Sequence, residues 1–66
     1  MGVKVREYRQ KLLMTQKDLA DKSKVSRATI SALENGALTN VTISTLMKIA
    51  DALGATVEEI FFAKDV

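Results

Sequence analysis

Arg27, Ala28, Ser31 and Ala32 fall at offsets of zero, one, four and five, which gathers their side chains on one face of an α-helix. Arg27 offers a planar fork of donors that matches a paired acceptor edge such as guanine O6 and N7. The alanines offer methyl contacts of the kind a thymine methyl accepts, and Ser31 can donate or accept. Thr29 and Asn35 sit at the edges of this face, and Asn35 has amide donors for a phosphate. Gln16 and Lys17 stand at the start of a preceding helix, where free backbone amides favour an anion. Gln16 is placed to bond a phosphate oxygen while steadying Arg27.

Other chemistries lack their residues. There is no His and no Cys, so neither a nucleophile–base pair nor a thiolate metal site can be built. Glu58 and Glu59 are neighbours that cap a helix and point differently. No Gly-rich phosphate loop or metal-ligand cluster occurs. The chain reads as a non-enzyme with no cofactor, no metal and no evident small-molecule ligand.

The elements that must hold the polar face follow from apolar spacing and caps. Val5, Tyr8, Leu12 and Leu13 form a stripe on a first helix, roughly Val3–Leu13. Arg6, Gln10 and Lys11 fall on its other faces, with Arg9 beside the stripe. Thr15 and Asp18 have capping-box spacing and open a second helix to about Lys22, with Leu19 and Ala20 inward. Ser26 caps a third helix, about Arg27–Asn35, which seats Ile30 and Leu33 and stops at Gly36. Thr42 caps a fourth, whose apolar face is Ile43, Leu46, Met47, Ile49, Ala50 and Leu53, ended by Gly54. Thr56 and Glu59 box a short fifth helix with Val57, Ile60, Phe61 and Phe62. Helices two and three are joined too tightly to lie antiparallel and must cross steeply, as in a helix-turn-helix. The fold class is all-α: five helices around one small core in a single domain over 1–66, with the helix-turn-helix at about 15–36.

Sixty-six residues make one domain of modest stability. No apolar run approaches the roughly 20 residues of a membrane span, and the N-terminus has no signal-peptide core. A cytoplasmic protein without membrane contact is expected. Net charge is +2 but unevenly placed. Residues 1–27 hold eight cations against three anions, a net of +5, and residues 28–66 hold two against five, a net of −3. Such asymmetry suits a basic face for a polyanion.

The stretch Thr15–Gly36 resembles the helix-turn-helix of phage Cro/repressor and xenobiotic-response-element-type regulators. The resemblance rests on Thr15-Gln16, Leu19-Ala20, Val25-Ser26, Ile30, Leu33 and Glu34-Asn35-Gly36. It continues through Thr45–Ala50, Leu53-Gly54 and Thr56–Phe61. It implies a compact lambda-repressor-like DNA-binding domain, acting as a homodimer on an inverted repeat in double-stranded DNA, most often as a repressor. By position, Arg27, Ala28, Ser31 and Ala32 match base-reading residues, and Gln16 and Asn35 match phosphate contacts. Lys17, Lys24, Ser26, Thr29 and Asn40 complete the set expected at the DNA backbone. Arg9 and Glu34 match a buried ion pair of some members.

Two features depart from the pattern. Lys24 stands in the turn where Gly is usual, and a positive φ there would be strained. The loop 37–41 lacks basic residues and leaves Leu38 and Val41 as exposed apolar side chains. Phe62 exceeds what one small core can cover, so Val57, Ile60 and Phe62 are expected at a dimer interface. A restriction–modification controller and an antitoxin share the same DNA-binding part. A protein-interaction module without DNA binding is the reading of a different class.

Overall fold

The computed structural model describes residues 4–37 and 41–62. Five helices follow one another: α1 (Val5–Lys11), α2 (Gln16–Ser23), α3 (Arg27–Glu34), α4 (Ile43–Ala52) and α5 (Val57–Phe61). Among the described residues there is no strand. α2 packs on α3 and α4, α4 carries α5, and α1 closes the arrangement against α3 and α5.

The helix starts sit where the caps place them. Thr15, Ser26, Thr42 and Thr56 each accept a hydrogen bond from the backbone N–H three residues on, a bond worth about 1 kcal/mol against alanine. Both capping boxes close. Asp18, shorter than the usual Glu, still reaches back to accept from the Thr15 N–H at 2.9 Å. Glu59 accepts from the Thr56 N–H at 3.0 Å.

Three helices end in the same way. The residue after the C-cap turns left-handed, and two backbone N–H groups reach back into the last turn. At α3 and α4 that residue is glycine, Gly36 (φ +71) and Gly54 (φ +68). At α1 it is Leu13 (φ +56), with the Leu13 N–H on Gln10 O at 3.0 Å and the Met14 N–H on Arg9 O at 3.0 Å. Lys24, closing α2, is left-handed as well, at φ +60 and ψ +28. This is the strained conformation at which a Cβ crowds the carbonyl oxygen.

The core is built from Val5, Leu19, Ile30, Leu33, Leu46, Ile49 and Ile60, all essentially closed to solvent. Ala20, half-buried, packs against it beside α3. Burying each of the large side chains contributes roughly 1.5–3 kcal/mol.

Several apolar residues lie elsewhere than their spacing implies. α1 stops at Lys11, so Leu12 and Leu13 swing off the stripe into solvent, Leu13 being 91% exposed. Val3, at the expected start of α1, lies outside the described residues. The buried face of α4 is narrower than its apolar count, because Ile43 and Met47 are more than half exposed. Val41 packs on the core instead of standing free, whereas Leu38 falls outside the described residues. Phe61 packs against the core. Phe62 follows α5 as its C-cap and is 54% exposed. Ile60 is only 2% exposed; it is a core residue and cannot meet a second chain. The apolar side chains left partly or mostly exposed at α5 are Val57, Phe61 and the C-cap Phe62.

Glycine at Lys24 or Leu13 removes the left-handed strain, offset in part by its larger unfolded-state entropy. Lys24→Gly and Leu13→Gly should each stabilise by about 0.5–1 kcal/mol and raise the midpoint of a circular-dichroism melt by about 2–8 °C. Two unchanged or lowered midpoints would show that neither turn stores strain.

Candidate nucleic-acid interface

The turn between α2 and α3 is held by its own backbone and one buried hydroxyl. Lys24 N–H donates to Ala20 O at 2.8 Å, and the buried Ser23 Oγ accepts from Val25 N–H at 3.2 Å. α3 then leaves in a new direction, with Ile30 and Leu33 locked inward. Arg27 and Ala28 consequently stand exposed at its N-terminal end, while Ser31, Ala32 and Thr29 are half-buried along it. Ser26 is exposed, and its Oγ lies 2.8 Å from Thr29 Oγ1. One of their two hydroxyl hydrogens is spent between them, so the pair presents one free donor outward.

The C-terminal end of α3 carries the polar centre of the molecule. The Glu34 side chain is 0% exposed. Its Oε2 accepts from Arg9 Nε at 2.8 Å. Its Oε1 accepts from Arg9 Nη2 at 3.0 Å, Arg6 Nε at 3.2 Å and Gln16 Nε2 at 3.3 Å. Arg9, 13% exposed, spends its third donor on the Met14 carbonyl at 2.8 Å, just before α2. One carboxylate therefore ties α1, the entry to α2, and α3. Three donors converge on Oε1 and one on Oε2, so both oxygens of the carboxylate are bonded.

Burial alone would push the Glu34 carboxyl up. Hydrogen bonds from Arg9, Gln16 and Arg6, with the charge of Arg9, outweigh it and hold the group below the ordinary carboxylate range. The hydrogen bond to Glu34 raises the Arg9 guanidinium against the opposing effect of burial. Asp18 is lowered by its hydrogen bonds with Thr15.

The structure gathers Arg9, Gln16, Glu34 and Asn35 around this centre. Gln16 bonds Glu34 rather than steadying Arg27, leaving one of its two amide hydrogens for an outside acceptor. Lys17 and Lys24 are exposed near the two ends of α2. Asn40 lies outside the described residues. Arg6 is the member that spacing alone misplaces. It stands three residues before Arg9, so the two share a side of α1, and it bonds both Glu34 and, through Nη2 at 3.4 Å, Asn35 Oδ1. The i, i+3 relation to Arg9 is the signal that could have found it.

A helix-turn-helix family model matches residues 5–60, nearly the whole of the described fold. The chain belongs to the helix-turn-helix family, of the xenobiotic-response-element type. An uncharacterized helix-turn-helix-type transcriptional regulator of Archaeoglobus fulgidus is 40% identical over 65 residues, covering 98% of this chain and 91% of that protein. One of Methanocaldococcus jannaschii is also 40% identical, covering 98% and 97%. Among solved structures, SinR, described as the master regulator for biofilm formation and solved in complex with DNA, superposes with a TM-score of 0.81 at 28% identity, over 86% of this chain and 90% of that one. A SinR–SinI complex gives a TM-score of 0.85 at 27% identity, over 91% of this chain. This chain spans 58% of the matched chain there.

Removing one partner from a buried ion pair costs about 3–5 kcal/mol, comparable with the roughly 3–10 kcal/mol available to a domain this size. Glu34→Gln should therefore lower the midpoint of the helical melt steeply at neutral pH, and abolish the cooperative melt if the total lies at the low end of that range. In the unsubstituted chain the folded-state carboxyls of Glu34 and Asp18 are depressed, so their contribution is complete above the ordinary values. It is lost as pH falls below about 4.5, the ordinary glutamate value, through the lowered folded-state values. Urea melts from pH 7 to 3 should show that fall, and Asp18→Asn should keep the share owed to Glu34. A Glu34→Gln chain as stable as the original would remove the cluster from the structural account.

Proposed function

We propose that this protein is a sequence-specific regulator of transcription that binds double-stranded DNA through the outward face of α3. The observation that carries the reading is the exposure of Arg27 and Ala28 at the start of a helix whose opposite side is anchored by Ile30, Leu33 and the buried Glu34. The N-terminal end of such a helix fits the major groove, where Arg27 would read a guanine edge, and Ala28, Ser31 and Ala32 its neighbours. Gln16, Lys17, Lys24, the Ser26–Thr29 hydroxyl pair and Asn35 would hold the backbone. The likeness to SinR, solved in complex with DNA, supports DNA binding. A regulator of this kind works in the cytoplasm, and no helix among the described residues is long and apolar enough to cross a membrane.

Repression is the mode we propose, by a homodimer that sets two reading helices about 34 Å apart, one duplex turn. The dimer surface would be the apolar strip beside α5. Met47 and Val57 line a shallow groove between α4 and α5, and Phe62 stands exposed at the end of α5. Covering these side chains removes apolar surface from water, which favours association.

Arg27→Ala should lose about 1–3 kcal/mol of discrimination at one base position per half-site. Selection of bound duplexes from a random pool, run with both proteins, reads this directly. The variant should return the same consensus with that one position relaxed. An unchanged consensus would remove Arg27 from base reading.

A further inference from the structure

The charge balance of the Glu34 cluster is uneven. Arg9 meets the carboxylate through two parallel bonds and is nearly closed to solvent, so its charge and that of Glu34 cancel inside the protein. Arg6 adds a second guanidinium, and the cluster keeps one surplus positive charge. That charge emerges where the cluster meets water, at the Arg6 side chain, which is 52% exposed.

Arg6 is also held in place. Of its five N–H groups, the one on Nε goes to Glu34 Oε1 and one on Nη2 goes to Asn35 Oδ1. Three remain without an acceptor among the described residues. The Asn35 contact orients that amide as well: with Oδ1 facing Arg6, its two N–H donors face away from the guanidinium. A fixed fork loses less side-chain entropy on binding than a free arginine and matches the paired oxygens of a phosphate. This fork stands at Asn35, the C-cap of α3, itself proposed to hold the DNA backbone.

We infer that Arg6 is a DNA backbone contact, its guanidinium anchored by Glu34 and Asn35 so that its remaining N–H groups grip a phosphate. The inference rests on the DNA-binding reading and extends the interface from α2 and α3 onto α1. It also gives the net-positive N-terminal segment a defined point of attachment, in place of a general attraction.

The test is the salt dependence of binding to a short mixed-sequence duplex, followed by fluorescence anisotropy. Removing one phosphate-binding cation makes the slope of log K against log salt shallower by about 0.9. Arg6→Met and Arg6→Gln should both show that change for every chain bound, with affinity lower by roughly tenfold. The Gln variant keeps a donor for Glu34, and circular dichroism confirms that each variant is folded. Arg6→Lys, which keeps the charge, should hold the slope near the original. A slope in the Met and Gln variants equal to the original, whatever the affinity, overturns the assignment and leaves Arg6 a structural residue. An original protein with no salt-sensitive binding to any duplex overturns the DNA reading, and the Arg6 contact with it.

Discussion

A carboxylate closed to solvent must be fully bonded or it destabilises the fold, and Glu34 is bonded by donors from two other helices. Desolvating such a charge costs several kcal/mol, and the cost is recovered only in good geometry. Arg9, Arg6 and Gln16 provide that geometry when α1, the start of α2 and the end of α3 meet at one point. Any sliding or rolling of α3 breaks several of these bonds at once. An apolar contact of similar size would tolerate such movement, since side chains of about the right volume can repack.

That constraint bears on function because α3 is only eight residues long. A helix so short is marginal by itself. Its orientation comes from Ile30 and Leu33 on one side and from Glu34 at one end, and the two together set its roll about its own axis. Once the roll is set, the direction in which Arg27 and Ala28 point is set too. α4 and α5 contribute at a distance: α4 backs α2, α5 backs α1, and both keep water from the core under α3.

Much of this is legible in the residues. The hydroxyl caps at Thr15, Ser26, Thr42 and Thr56 mark four helix starts, because a cap is a local bond between near neighbours. The helix-turn-helix follows from the short interval between Lys22 and Ser26, and the family resemblance puts Arg9 and Glu34 opposite one another. What spacing misjudges are side chains at places where the chain changes direction. Leu12 and Leu13 continue the apolar rhythm of α1, yet the helix ends at Lys11 and the left-handed turn at Leu13 carries that side chain outward, leaving Leu12 half exposed. Ile43 and Met47 have helical spacing, but the core reaches only one side of α4. Ile60 looks like surplus apolar surface until α1 and α4 are packed around it. Arg6 escapes notice because a charged residue three places from another charged residue ordinarily reads as a solvated face. Only the packing of α1 on α3 shows that both reach one acceptor.

The proposed DNA interface is the face built by α3 with the start of α2 and the adjoining side of α1. Amide chemical shifts recorded while a short duplex is titrated into isotope-labelled protein test it residue by residue. The largest changes should fall on Arg6, Gln16 and Lys17, on Arg27 through Ala32, and on Asn35, with Met47 and Val57 little affected. Changes centred on Met47, Ala55 and Val57, with α3 silent, would contradict it.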